Sequence, residues 1–322
     1  MLSLPDFKEK TIVIFHPMEG QAISFKNDNM IINDSEDKII LQVTCYKLFS
    51  LWVVGGTTLT TGILEKSKKF AFSIYFLSYY QRPIGLWGSS LEGNFLLRKK
   101  QYKYEEVGIA RYLIENKISN QLLLLKSIRS KSDEVKESIK KIESYRQELE
   151  NANEFTSILG LEGISSKVFF SRWFSELDWK GRRPRIKLDI TNCILDIGYT
   201  YLFNFVESLV SLYGFDIYQG VYHKNFYQRK SLVCDLVEPF RCIIDKKIKT
   251  AYGLNQIKED DFGKKQNQYY LKIDKNKYYS KWILEAILER KEEMFLFMQE
   301  YYRCFMKNKP ISEYPRFTIT GE

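Results

Sequence analysis

Histidine is nearly absent from this chain of 322 residues: only His16 and His223 occur, so any imidazole chemistry must run through one of them. Cysteine is sparse and scattered. Cys45, Cys193, Cys234, Cys242 and Cys304 are odd in number and contain no CxxC pair, which argues against a disulfide framework and a cysteine-type zinc site. No unbroken apolar run approaches the ~18 residues that span a bilayer. The longest candidate, residues 199–206, carries Asn204 and is far too short. The opening MLSLPDFKEK has neither the basic start nor the apolar core of a secretion signal. A soluble, cytoplasmic protein that does not engage membranes is expected. The seven prolines all avoid the span between Pro83 and Pro184, which is where long helices would need them to be missing.

What is present is globular: 44% hydrophobic and 28% charged residues exclude a disordered tail or a fibre. At about 150 residues per domain, the length predicts two domains. Lys and Arg total 49 against 40 for Asp and Glu, a net charge of +9. Such a balance points to a polyanionic partner, nucleic acid or an anionic surface. An A/T-biased genome would also enrich lysine, so composition alone leaves both explanations open.

The grammar of the two halves differs. The first ~80 residues read as short strands. Segments 11–16 and 21–25 flank Pro17 and Gly20 like a hairpin, and 30–32, 38–44 and 51–54 follow, broken by Asn33, Asp34, Ser35 and Gly55. Residues 60–69 suggest a short helix, and 70–76 alternate aromatic and small residues as a strand would. A linker is expected from Gly88 to Gly93. Beyond it, Leu195, Tyr199, Leu202, Val206, Leu209 and Tyr213 mark one helix face, with Asp189 as N-cap and Gly214 as stop. Ile283, Ile287, Met294, Met298, Tyr301 and Phe305 repeat that pattern. The fold class expected is α+β: a small N-terminal β-rich domain (1–88), then a larger all-α domain (89–322).

Four features could carry chemistry. His16 ends a strand beside Pro17 and reads as structural. His223 follows the Gly220 break and precedes residues 231–245, where Ser231 is a credible N-cap and Leu232, Leu236, Phe240 and Ile243 form a buried face. That leaves Asp235 and Glu238 one turn apart on another face. Two carboxylates and an imidazole suit Mg²⁺ or Mn²⁺; a solvated face with Glu238 and Asp245 opposite Arg241 is the plainer alternative. Pro239 disfavours helix at Glu238, unless a helix begins there. Glu162 lies between Gly160 and Gly163 ahead of an aromatic-rich helix, either as an approachable acid or as a first-turn cap. Lys180, Arg182, Arg183, Arg185 and Lys187 place five cations in eight residues, a loop suited to neutralising phosphates or simply a solvated one.

These segments resemble, in order, the CRISPR-associated protein one (Cas one) family, the endonuclease and integrase of spacer acquisition. The match runs through Leu-Glu162-Gly, Gly-Arg-Arg-Pro-Arg185, Asp189-Ile-Thr-Asn192 with Gly198-Tyr199-Thr200, Tyr-His223, and residues 231–241. Leu97-Arg-Lys-Lys-Gln-Tyr102 and the β-then-α division extend it over most of the chain. The resemblance implies that Glu162, His223 and Glu238 bind the metal, with Asp235 an auxiliary acid and Asn192 a polar residue near the site. The opening residues and the Leu97–Gln101 run look like the type V (Cas twelve a) branch, while Tyr314-Pro-Arg-Phe317 matches only loosely.

The implied reaction is phosphodiester transesterification. A spacer 3′-OH attacks a phosphate at the edge of the CRISPR repeat, and a divalent ion on the three side chains polarises that phosphate. The implied partners are duplex DNA with 3′ overhangs, repeat DNA, a second copy of the chain joined through the β domain, and a Cas two dimer between two such pairs; trimming of the ends by a Cas four nuclease stays open. The alternatives are a free-standing metal nuclease of branched DNA and a DNA-binding scaffold with a degenerate site. Glu162, His223 and Glu238 must then meet at the centre of the helical domain. If they do so without an ion, mutual repulsion should raise the acids' pKa values.

Overall fold

A computed structural model describes residues 2–88, 94–177, 179–183 and 186–319. The expected linker from Ser89 to Gly93 lies outside the described residues. After a one-turn helix α1 (Leu4–Lys8), capped by Ser3, the chain enters β1 (Thr11–Phe15). This strand does not form a hairpin with the next, contrary to the sequence expectation. Its run TIVIF is largely buried and pairs in parallel with β5 (Leu48–Val54). The next segment, β2 (Ala22–Lys26), is buried nowhere along its length and belongs to a separate antiparallel sheet with β3 (Asn29–Asn33) and β4 (Ile39–Thr44). Asn27 and Asp28, both at positive φ, make the tight β2–β3 turn, the local signal that fixes which strands form the hairpin.

The main sheet runs β1-β5-β6-β7 and is completed by β6 (Ser73–Leu77) and β7 (Pro83–Trp87), of which only β7 is antiparallel. The expected helix appears as α2 (Thr61–Phe70). The expected strand from Phe70 instead begins at Ser73, because Ala71 at φ 55° turns the chain out of the helix. Along β5 the period of two divides the core. Leu51 and Val53 pack with Met30, Ile32, Ile63 and Phe70 on one face. Trp52 and Val54 join the helical core on the other, where Trp52 meets Tyr201 at 4.8 Å and Tyr75 Oη pairs with Ser208 Oγ at 2.8 Å.

The helical part comprises α3 (Phe95–Tyr102), α4 (Gly108–Lys126), α5 (Asp133–Glu150), α6 (Phe155–Trp173), α7 (Ile190–Ser211), α8 (Ser231–Leu236), α9 (Arg241–Gly253), α10 (Asn276–Leu288) and α11 (Lys291–Met306). It is not all-α. A hairpin of β8 (Phe262–Lys265) and β9 (Gln268–Leu271) interrupts it, turned by Gln266 and Asn267 at positive φ. Asp189 caps α7 as expected, accepting from Asn192 N at 2.6 Å. By length and composition α7 could cross a membrane, which a count of unbroken apolar runs misses, yet 83% of its most apolar window is buried by the fold. The late apolar stripe divides between α10 and α11. Helix α4 packs against α5, α6 and α9, and carries a buried polar band of Glu115, Asn116, Lys117, Asn120 and Gln121.

Candidate active site

The middle of α4, the middle of α6 and the short 3-10 turn Glu238–Phe240 face one another across a cavity of about 810 Å³. Glu162, His223 and Glu238 all line it, together with Lys117, Arg241 and Asp245. Glu162 is neither an acid ahead of the aromatic-rich helix nor a first-turn cap, because α6 begins at Phe155 and carries it in its interior. A Cβ at Gly160 or Gly163 would meet open space, so no packing demands those glycines. Nor do Asp235 and Glu238 share one helix. Helix α8 ends at Leu236, and Pro239 places Glu238 at the start of a 3-10 turn, because a proline cannot donate the helical hydrogen bond. Ser231 is the first helical residue rather than the cap, its hydroxyl donating to Lys224 O at 3.2 Å.

His223 is held by Asp235, which is fully buried. Asp235 Oδ2 accepts Val221 N at 2.6 Å and Tyr222 N at 3.0 Å, while Oδ1 accepts His223 N at 2.8 Å and pairs with His223 Nδ1 at 2.7 Å. In the neutral ring, an Nδ1–H donated to this carboxylate leaves the lone pair on Nε2. Gly220 allows this turn: a Cβ there would lie 2.7 Å from His223 O and 2.9 Å from Asp235 Oδ2.

The two other candidate ligands meet on an ammonium. Lys117 Nζ donates to Glu162 Oε1 and lies 2.7 Å from Glu238 Oε2, while Arg241 Nε is 2.9 Å from Glu238 Oε1. Tyr222 Oη donates to Glu162 Oε2 at 2.6 Å. The expected upward shift of the acids is therefore reversed at Glu238. Burial would raise its carboxyl, but Arg241 and Lys117 outweigh burial and hold it at about 2. Burial likewise opposes the charge on Lys117, and Glu162 and Glu238 raise its pKa nevertheless.

Two carboxylates and an imidazole lone pair are a donor set that fits a hard divalent cation. Glu238 Oε2 is buried and accepts no hydrogen bond of proper geometry, so it retains a lone pair to give. Among the described residues no three His, Cys, Asp or Glu side chains are close enough to hold an ion as they stand. The Lys117 ammonium occupies the gap between the carboxylates.

Among the described cations of the basic loop, Lys187 is buried and Arg182 half-buried, while Lys180 and Arg183 are exposed. Asn192 is fully buried and does not line the cavity. It organises the loop instead: Oδ1 accepts from Arg182 Nη1 and Arg183 N, each at 3.1 Å, and Nδ2 donates to Gly181 O at 2.9 Å. Lys180 N donates to Asp189 Oδ2 at 3.3 Å. Arg182 reaches Asp196 at 2.8 Å and lies over the Tyr199 ring, which Arg241 also approaches, at 4.7 Å. Lys187 is buried and lines the cavity, with its carbonyl held by Tyr269 N of the β8–β9 hairpin at 2.8 Å. Arg185 lies outside the described residues.

Lys117, Tyr199, Tyr222, Arg241 and Asp245 were not expected at the site. The available signal was the polar band in the otherwise apolar α4. Asp245 receives the Tyr199 hydroxyl at 2.5 Å, and burial, only partly offset by that bond and by Arg241, pushes it up to about 7. The unfolded chain releases this proton near 3.8 and the folded chain near 7, so the fold holds an extra proton between them and loses stability as pH rises across that window. Glu238 has the opposite slope only between about 2 and 4.5. Asp245→Asn should flatten the dependence of melting temperature on pH from about 5 to 7, while an unchanged slope would mean the proton is held elsewhere.

Residues 15–283 match the sequence profile of the family described as CRISPR associated protein Cas1. The chain is 30% identical over 247 residues to a CRISPR-associated endonuclease Cas1 of Thermodesulfovibrio yellowstonii, covering 70% of this chain and 76% of that protein. Its fold is similar to that of a CAS1 protein from Thermotoga maritima, with a TM-score of 0.78 at 17% identity over 97% of this chain and 99% of that one. A casposase bound to integration product has a TM-score of 0.78 at 18% identity, covering 92% and 91% of the two chains.

Proposed function

The chain belongs to the Cas1 family, the spacer integrases and endonucleases of CRISPR adaptation, and from that premise we propose that its α4–α6–Glu238 cavity performs metal-dependent strand transfer. A DNA 3′-OH attacks a phosphate at the repeat edge, one phosphodiester forms as another breaks, and a 3′-OH leaves on the repeat strand. No covalent protein nucleophile is required. The observation that carries this reading is the opening of Glu162, Glu238 and an Asp235-oriented His223 onto one cavity. Bound there, Mg²⁺ or Mn²⁺ supplies Lewis-acid polarisation of the phosphate. Glu162 and Glu238 would offer oxygens and His223 its Nε2. Lys117 and Arg241 bring positive charge to the region where negative charge grows on the phosphate. Measuring integration and free cleavage by the same preparation, with and without the partner protein, tests the assignment. Cleavage without integration would favour a free-standing nuclease, and DNA binding with neither activity a scaffold.

The DNA we assign is duplex with 3′ overhangs, together with repeat DNA. Solved relatives of this fold include Cas6-RT-Cas1–Cas2 complexes, and a Cas2 dimer bridging two homodimers of this chain is the corresponding assembly. The type V branch is the finer placement, supported by the opening residues and the Leu97–Gln101 run. Cas4 trimming is left to experiment.

The β-rich part makes the homodimer in this proposal, since edge strands need covering. Strand β7 is the edge of the main sheet and exposes Ile84, Leu86 and Trp87. Cutting the chain at residue 88 would bare Trp52 and Tyr75, so the test uses the full chain. Ile84→Asp should turn a dimer into a monomer by light scattering, and an unchanged dimer would reject this edge.

Phosphate contact by the basic loop is assigned to Arg183 and Arg185, because Arg182 is committed to Asp196 and Asn192. Replacing both with Ala should weaken all duplexes alike and reduce the slope of log K against log salt by roughly 2. Loss confined to one sequence would mean that the loop reads bases.

A further inference from the structure

Lys117 puts a fixed positive charge where the proposed function wants a divalent ion. It is buried in the middle of α4, a helix that packs against α5, α6 and α9, so its backbone is anchored and only its four-carbon stem can carry the charge elsewhere. Its Nζ contacts one oxygen of each carboxylate, Glu162 Oε1 and Glu238 Oε2. Each acid has one further partner, Tyr222 Oη on Glu162 and Arg241 Nε on Glu238. Lys117, Arg241, Glu162 and Glu238 therefore sum to zero charge before an ion arrives. Without Lys117, buried Glu238 and half-buried Glu162 would face each other with only Arg241, itself paired with Glu238, to offset their charges, an arrangement that costs stability where solvent screens poorly.

We propose that Lys117 is a competing cation built into the site: it holds Glu162 and Glu238 together in protein without metal and surrenders them when a divalent ion enters. The inference rests on reading Glu162, Glu238 and His223 as the metal donors. It has two consequences. The donor pair stays assembled and stable without metal, and the protein binds a free ion more weakly than those donors alone would, because the ion must displace an ammonium already ion-paired with both.

The test compares full-length wild type with Lys117→Met, stripped of metal by EDTA and titrated with MnCl₂. Melting temperature and calorimetric affinity are the readouts, so neither depends on integration. In EDTA, Lys117→Met should melt below wild type; on adding Mn²⁺ its melting temperature should rise by more than that of wild type, and its Mn²⁺ affinity should be tighter by about tenfold or more. The double variant Lys117→Met with Glu162→Gln removes one of the repelling charges. It should regain stability in EDTA and lose the tight Mn²⁺ binding, which assigns both effects to this pair. If Lys117→Met does not fold, Lys117→Gln serves in its place, and a folded double variant beside an unfolded single one supports the proposal. Equal Mn²⁺ affinity and equal melting shifts in wild type and variant would overturn the competition while leaving the metal site standing. Absence of Mn²⁺ binding in both would remove the metal reading and the competition with it.

Discussion

Glu162→Gln and His223→Ala should each reduce spacer integration by at least about 10³-fold, the scale expected when a group acting on the transition state is removed. Glu162→Gln keeps the side chain's size, and its carbonyl oxygen can still accept from Tyr222 or Lys117, but the negative charge a divalent ion would need is gone. His223→Ala removes Nε2 without disturbing the backbone amide that Asp235 accepts at 2.8 Å. Both variants should bind duplex DNA within a few fold of wild type and remain folded. That combination, lost chemistry with retained binding, separates a catalytic role from a structural one. Integration by either variant at the wild-type rate would remove the chemistry from this cavity.

The second large effect is on stability. Asp235→Ala should destabilise the protein by about 3 kcal/mol or more, because three backbone N–H groups and the His223 Nδ1–H lose their buried acceptor together. Residues 220–223 would no longer have a reason to wrap around the start of α8, and His223 would lose both its ring orientation and its tautomer. Integration should therefore fall along with the denaturant midpoint. Asp235→Asn should fall between, since one oxygen still accepts while its NH₂ faces donors. A midpoint for Asp235→Ala within about 0.5 kcal/mol of wild type, the range of an ordinary surface change, would contradict this account of the loop.

The parts of the fold legible in the sequence were those written locally. Asp189 announces α7, the 3–4 spacing from Leu195 to Tyr213 announces its buried face, and Gly220 announces the break that presents His223. Non-local pairing was not legible. Nothing local in TIVIF says that its neighbour is the parallel β5, more than thirty residues on, rather than the adjacent β2. The β8–β9 hairpin was hidden because its strands are four residues each and bury only Phe262 and Leu271 fully, too short a run to show an alternating pattern. In the site, the acids and the histidine stood out as chemical types beside glycines and prolines. Lys117 did not. A lysine in a long helix reads as a surface residue until packing closes on it, and its two partners lie 45 and 121 positions downstream. The expectation of a raised pKa failed at Glu238 because Arg241 and Lys117 together outweigh burial, and the part played by Lys117 was invisible in the sequence.

The most direct measurement is the anomalous difference density of a crystal equilibrated with Mn²⁺. The account predicts one peak in the cavity, within about 2–2.5 Å of an oxygen of Glu162, an oxygen of Glu238 and Nε2 of His223. A strong peak elsewhere in the protein, with these three side chains making no contact to it at saturating Mn²⁺, would contradict it.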